Sequence, residues 1–312
     1  MTNSIWKKLL LPLWVLLATA GCNQAQDNAS NPTDNAIQEP APQANPPQDP
    51  AVQEPTQKYT VQVVEFMRQD TKLHGWLYTS TQGSGPFPAV IHLHGGTKDP
   101  GEPKALGEFY TSQGYVFFAP NLTGAGLSAD AGPFISDITQ HLKENGLSDA
   151  EIDEKRIGLL ERFSRDGGAA AKWLKQQPNV DHSRIFMTGH SMGGQLTLLV
   201  AEKNAELNLG IRAFLAFSPG AAGWNDILEP RLIHAVTDAT APIFLMQPEG
   251  DLSLSPSQVL GPILQGKGAP NGYKVYPTPF EDGNDAHNKF ANSPDGIEIW
   301  SADAMNFFQE SI

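Results

Sequence analysis

Cysteine occurs once in the 312 residues, at Cys22, so neither an intramolecular disulfide nor a cysteine-based metal cluster can form. Basic residues are scarce as well: 21 Lys and Arg face 34 Asp and Glu, a formal charge of -13. A chain so acidic has no cationic surface with which to neutralise a run of phosphates, which argues against nucleic acid as a partner. No apolar run reaches the roughly 20 residues of a membrane-spanning helix, and no segment repeats another. What is present is 40% apolar and 9% aromatic residues, enough for a substantial core, with 29 Gly and 25 Pro for many tight connections between short elements. Global disorder, collagen and coiled coil are thereby excluded.

The N-terminus reads as an address. Lys7 and Lys8 precede a nearly continuous apolar run over residues 9–17, and Ala18, Thr19, Ala20 and Gly21 follow. This is the pattern of a bacterial signal peptide over residues 1–21. Ala18-Thr19-Ala20 fits an ordinary cleavage site, which would release a soluble periplasmic or secreted protein. Thr19-Ala20-Gly21-Cys22 resembles the lipobox of bacterial lipoproteins, in which the cysteine is lipidated. Thr19 departs from the usual bulky aliphatic residue, yet the chain's one cysteine stands where a lipobox needs it, so lipidation of Cys22 is the favoured reading. It implies anchoring to a membrane of the cell envelope, on its periplasmic or extracellular face. Residues 22–58 hold seven Pro, seven Gln and five Asn without an aromatic residue. Such a segment buries too little apolar area to offset its ordering entropy and is expected to be a disordered tether.

Residues 59–312 carry the folding pattern. Residues 59–67 and 72–78 read as an entry hairpin around Gln69-Asp70-Thr71. Short apolar runs recur at 89–93, 115–119, 185–188, 213–217, 243–246 and 273–276, bounded by turn-forming residues as buried parallel strands are. Helical stretches at 104–113, 169–177, 193–207 and 297–309 alternate with them. The expected fold class is α/β, a mostly parallel sheet with an antiparallel N-terminal hairpin and helices on both faces. Residues 130–165 are too long for a plain connection, and Ser148-Asp149-Ala150-Glu151 is a capping box opening a helix within them. They are read as a small inserted cap whose Phe134, Ile135, Leu159, Leu160 and Phe163 could close over a pocket, or as a helix packed on the sheet.

Gly189-His190-Ser191-Met192-Gly193 is G-x-S-x-G, set between an apolar run and a helical stretch as a nucleophile elbow requires. A serine hydroxyl needs a base to remove its proton and a carboxylate to orient that base. Only His234 and His287 follow Ser191, and only His287 also follows the last strand, in a loop; it is the candidate base. Two carboxylates leave the run at 243–246, and Asp251, projecting after Gly250, is preferred to Glu249. Oxyanion donors are expected from the amides of Met192 and of Gly96, the latter in His94-Gly95-Gly96 at the end of the run at 89–93. His94 itself reads as structural. His92 and His94 have no third ligand nearby, so no metal is expected, and Gly124-Ala125-Gly126 lacks the third glycine and downstream acid of a dinucleotide site, so no organic cofactor is expected. Trp224 lines the acyl pocket or packs in the core.

These residues together resemble the α/β-hydrolase superfamily, and within it dienelactone hydrolases and the catalytic domains of prolyl-oligopeptidase-like enzymes. The likeness runs from Leu73-His74-Gly75-Trp76-Leu77 through the H-G-G segment, Gly124-Ala125-Gly126-Leu127-Ser128 and 173–181 to the triad, over nearly all of 59–312. Dienelactone hydrolases use a cysteine where this chain has Ser191, so their substrate is not carried over. The peptidases carry a large N-terminal propeller, for which the segment over residues 23–58 is expected to leave no room. The resemblance implies a serine hydrolase of small carboxylic esters. A serine peptidase or aminoacyl hydrolase on short peptides is the alternative, and a catalytically dead binding module a third reading.

Overall fold

The computed structural model describes residues 58–312, so the signal, tether and Cys22 readings lie outside the described residues. β1 (Tyr59–Arg68) and β2 (Thr71–Ser80) pair antiparallel in continuous register from Tyr59 with Ser80 to Arg68 with Thr71, the turn made possible by Gln69 at φ 52°. The chain continues through β3 (Phe87–Leu93), α1 (Lys104–Ser112), β4 (Val116–Pro120), α2 (Ile135–Glu144) and α3 (Asp149–Leu174). It then runs through β5 (Val180–His190), α4 (Met192–Lys203), β6 (Ile211–Phe217), α5 (Leu228–Asp238) and β7 (Ile243–Pro248). The last elements are α6 (Ser255–Gly266), β8 (Gly272–Tyr276), α7 (Asn284–Asn292) and α8 (Pro294–Glu310). All eight strands form one sheet in the order β1-β2-β4-β3-β5-β6-β7-β8. β2 meets β4 antiparallel, and every pair from β4 to β8 is parallel. Among the described residues no helix is long and apolar enough to cross a membrane.

The parallel strands are apolar on both sides because both faces are covered. Along β3, Ala89, Ile91 and Leu93 enter one core, and Val90 between them enters the other. The first core is closed by α3, α4, α5 and α6; the second by α1, α7 and α8 around Trp300, Phe307 and Phe308. Helices therefore lie on both faces.

The segment 130–165 departs from one of its two expected forms. The capping box is present, with Glu151 Oε2 accepting from the Ser148 amide (2.8 Å) and Ser148 Oγ accepting from the Glu151 amide (3.3 Å). The helix it opens does not stop, but continues through Gly167 and Gly168 into the stretch expected as a separate helix. Gly167 suits this because it lets α3 approach β3, where a Cβ would meet Leu93 Cδ1 at 3.0 Å. Phe134, Leu160 and Phe163 are buried in the first core, and Ile135 and Leu159 belong to it. These side chains do not cover the pocket, because the sheet face offers them a larger apolar surface to pack against. Only Arg156 of this segment reaches the pocket lining.

One buried charge ties α3 to the end of β1 and to the loop after β4. Asp166, with no exposed surface, accepts from Arg68 Nη1 (2.7 Å) and from the amide and hydroxyl of Thr123 (2.9 Å each). Burial pushes its carboxyl up, and the bonds from Thr123 and Arg68 oppose that shift without cancelling it. Asp166→Ala would leave a guanidinium and two Thr123 donors without their acceptor. The expected loss is about 3–5 kcal/mol in urea unfolding; a loss of a few tenths would show that water replaces the carboxylate.

Candidate active site

β5 ends at His190 and α4 begins at Met192, so Ser191 alone makes the turn, at φ 55° and ψ -116°. Side chains avoid that conformation. It is held because the Ser191 amide donates to the Phe217 carbonyl (2.9 Å) and the Ser191 carbonyl accepts from Gln195 (3.1 Å). The flanking glycines supply space: a Cβ at Gly189 would lie 2.3 Å from the Gly193 carbonyl oxygen, and one at Gly193 would lie 1.9 Å from that of Leu93. α4 thus sits directly on the end of β3, and Ser191 opens into a pocket of about 720 Å³ at the carboxyl ends of the parallel strands.

Asp251 leaves β7 through Gly250, where a Cβ would lie 2.2 Å from Asp282 Oδ1. The Gly283 amide donates to the Gly250 carbonyl (2.7 Å), lacing the loop after β7 to the start of α7. His287 stands on the first turn of α7, not in the loop the sequence suggested. The Asn- and Asp-rich stretch is helical because Gly283 turns at φ 83° and Asp285 pairs with Lys289 (2.8 Å) one turn on. His287 Nδ1 lies 2.7 Å from Asp251 Oδ1, and the carboxylate has no exposed surface. Asp251 also accepts from Gln247 Nε2 at Oδ2 (2.7 Å) and from the Leu252 amide at Oδ1 (2.7 Å). Burial pushes its carboxyl up, but the bonds from His287 and Gln247 prevail and hold it below the usual carboxylate range. An ionised Asp251 accepts a hydrogen bond from Nδ1–H, which leaves the lone pair of the neutral ring on Nε2.

Three further histidines surround this pair and stay neutral. Burial drives His190 down to about 3, helped by the neighbouring His287, and His92 also to about 3. His190 Nε2 donates to the backbone carbonyl of His287 (2.9 Å), so the residue beside Ser191 holds the backbone of His287. His94 is held down at about 4 by burial; its Nδ1 donates to the Gly95 carbonyl (2.8 Å) and its Nε2 accepts from the Leu122 amide (3.1 Å). This side chain pins the glycine loop to the chain after β4. Gly95 and Gly96 line the pocket with Met192, and a Cβ at Gly96 would be 3.8 Å from that of Met192. The Gly96 amide has no acceptor among the described residues, and Met192, as the first residue of α4, has none within its helix.

Ser191, His287, Gly96 and Met192 therefore meet in one pocket, with Asp251 behind His287. Glu249 is exposed at the end of β7, and His234 lies on α5 beside Glu202 and Asp238, both at 3.6 Å. Trp224 packs against the first core and donates to Glu229 (2.9 Å); it does not line the pocket. Sequence reasoning missed Gln247 and His190 as supports. Each is a polar residue ending an apolar strand at the sheet's carboxyl edge, and that position was the available signal.

The sheet order, the elbow and the pocket define an α/β-hydrolase. The chain belongs to the acetyl xylan esterase (AXE1) family, a family of carboxylic ester hydrolases, whose profile matches residues 37–227. Among curated proteins it is similar to phospholipase YtpA of Bacillus subtilis, 29% identical over 132 residues, covering 41% of this chain and 50% of that one. It is also similar to esterase EstD of Thermotoga maritima, 25% identical over 155 residues, covering 49% of this chain and 32% of that one. The matched regions thus span half or less of these relatives. A candidate dienelactone hydrolase from Klebsiella pneumoniae shares the fold, with a TM-score of 0.58 at 18% identity, covering 81% of this chain and 99% of that one.

Proposed function

We propose that the protein hydrolyses small carboxylic esters, acetyl esters foremost, through an acyl-enzyme on Ser191. The observation that carries this reading is the 2.7 Å bond from His287 Nδ1 to the buried Asp251, in the pocket into which the strained Ser191 turn opens. His287 Nε2 takes the Ser191 proton as Oγ attacks the ester carbonyl, and the oxyanion is met by the amides of Gly96 and Met192. Collapse expels the alcohol, which leaves with the proton held on His287. Water then gives a proton to His287 and its oxygen to the acyl carbon, and the carboxylic acid departs as Ser191 recovers its proton. The family and the esterase relative support an ester substrate.

The test is kcat/KM on matched p-nitrophenyl acetate and butyrate against aminoacyl p-nitroanilides, proline among them, each normalised to its uncatalysed rate. The ester should win. Amide cleavage needs the leaving nitrogen protonated and the peptide held on both sides of the bond, and residues 130–165 spend their apolar side chains in the core. An anilide preference after normalisation would sink the esterase reading in favour of a peptidase.

The same proposal places the domain at the cell envelope, lipid-anchored through Cys22. Cys22→Ser should move the protein from the membrane fraction to the soluble one, because stable anchoring takes more than one acyl chain. Absence of palmitate labelling in the wild type would favour cleavage after Ala20 and a soluble protein.

A further inference from the structure

Arg156, on α3, lines the same pocket as Ser191. Its two terminal nitrogens face Gly223, where a Cβ would lie 3.9 Å from Nη1 and 4.0 Å from Nη2. The guanidinium is half-buried, yet it has no hydrogen bond or ion pair among the described residues. Asp153, one turn back, is not within ion-pair distance and accepts from Asn225 instead (2.9 Å). The pocket's other charges have partners: Glu102 accepts from the Tyr78 hydroxyl, and Lys104 lies 3.8 Å from Glu108.

A cation partly withdrawn from water without a partner costs free energy that a ligand can recover. The guanidinium presents planar, parallel N–H groups that match the oxygens of a carboxylate or phosphate. On a chain of net charge -13 the general field repels anions, so a bare arginine beside Ser191 locally offsets that repulsion for an anionic group in this pocket.

We infer that the substrate is an ester bearing a second, anionic group, a carboxylate or a phosphate, and that Arg156 binds that group while Ser191 attacks the ester. The inference rests on the esterase reading and narrows it, since a neutral acetylated sugar would leave Arg156 unused.

The test uses the full chain and acetate esters built on one phenol: 4-acetoxybenzoate, 4-acetoxyphenyl phosphate and the neutral methyl 4-acetoxybenzoate. With kcat/KM normalised to uncatalysed hydrolysis, at least one anionic ester should exceed the methyl ester by about 10- to 100-fold, the range of a charge-assisted hydrogen bond. Arg156→Gln should abolish that advantage through KM and leave the methyl ester unchanged, and Arg156→Lys should restore part of it. Whichever anionic ester is preferred names the anion. Parity of all three esters in the wild type, or equal loss on all three in Arg156→Gln, overturns the inference. Calorimetric binding of 4-hydroxybenzoate and 4-hydroxyphenyl phosphate separates it from the esterase reading. Binding of either that Arg156→Gln removes supports the anion site even if no ester turns over, and no binding without turnover overturns it. Fluorophosphonate labelling of Ser191 reports on the hydrolase reading alone.

Discussion

Ser191→Ala should lower kcat/KM on an activated ester by at least ~10³ and abolish fluorophosphonate labelling. The elbow offers no substitute: the neighbours of Ser191 are His190, whose ring is spent on the His287 carbonyl, and Met192. Alanine takes the same turn at φ 55° with no better or worse fit, and the amide bond to Phe217 does not involve the side chain, so the circular dichroism spectrum should be unchanged. The residual rate would come from the Gly96 and Met192 amides acting on water attack. His287→Ala should be nearly as damaging, because the serine hydroxyl stays protonated at neutral pH without a base. The two losses should not add, since nucleophile and base act as one unit. Labelling of Ser191→Ala at the wild-type rate would refute the assignment of the nucleophile.

Asp251→Asn should cost far more than Glu249→Gln, on the order of 10⁴ in kcat against almost nothing. Both carboxylates leave β7 two residues apart, but they meet different surroundings. Asp251 is buried behind His287 and takes Gln247 and the Leu252 amide as well. Glu249 is exposed to solvent, and only its backbone is engaged, by the Tyr276 carbonyl (2.8 Å). An asparagine at 251 can turn its amide group toward His287, which forces the Nδ1 lone pair to face it and puts the proton on Nε2, where it can no longer accept from Ser191. The imidazolium of the transition state also loses its counter-charge. The reverse ranking in kcat/KM would transfer the role to Glu249.

The elements most legible in the sequence were those whose signal is local. β3, β5, β6 and β7 read as buried strands because both faces of the sheet are covered, so their residues are apolar without alternation. The capping box at Ser148 announced the start of α3 through four residues. α7 was not legible, since Asn284, Asp285, Asn288 and Asn292 have poor helix propensity and the helix is stabilised by tertiary contacts of Phe290 and Ala291. The end of α3 was hidden for the same reason: Gly167 and Gly168 resemble a break, and only the close approach to Leu93 explains why they lie within a helix.

By itself the sequence determined the fold class and singled out Ser191 and His287 as the proposed nucleophile and base. G-x-S-x-G is a steric requirement of one turn, met by residues adjacent in the chain, and position after the last strand left one histidine. What only the tertiary structure decided is everything that depends on which surfaces meet. It separated Asp251 from Glu249, because burial and the Gly283-to-Gly250 bond are properties of two loops 30 or more residues apart in sequence. It sent Phe134, Leu160 and Phe163 into the core, since the sheet face buries more of their apolar surface than a lid would. It also left Arg156 without a counter-ion beside Ser191, and absence of a partner is a fact about the whole neighbourhood that no local pattern of residues records.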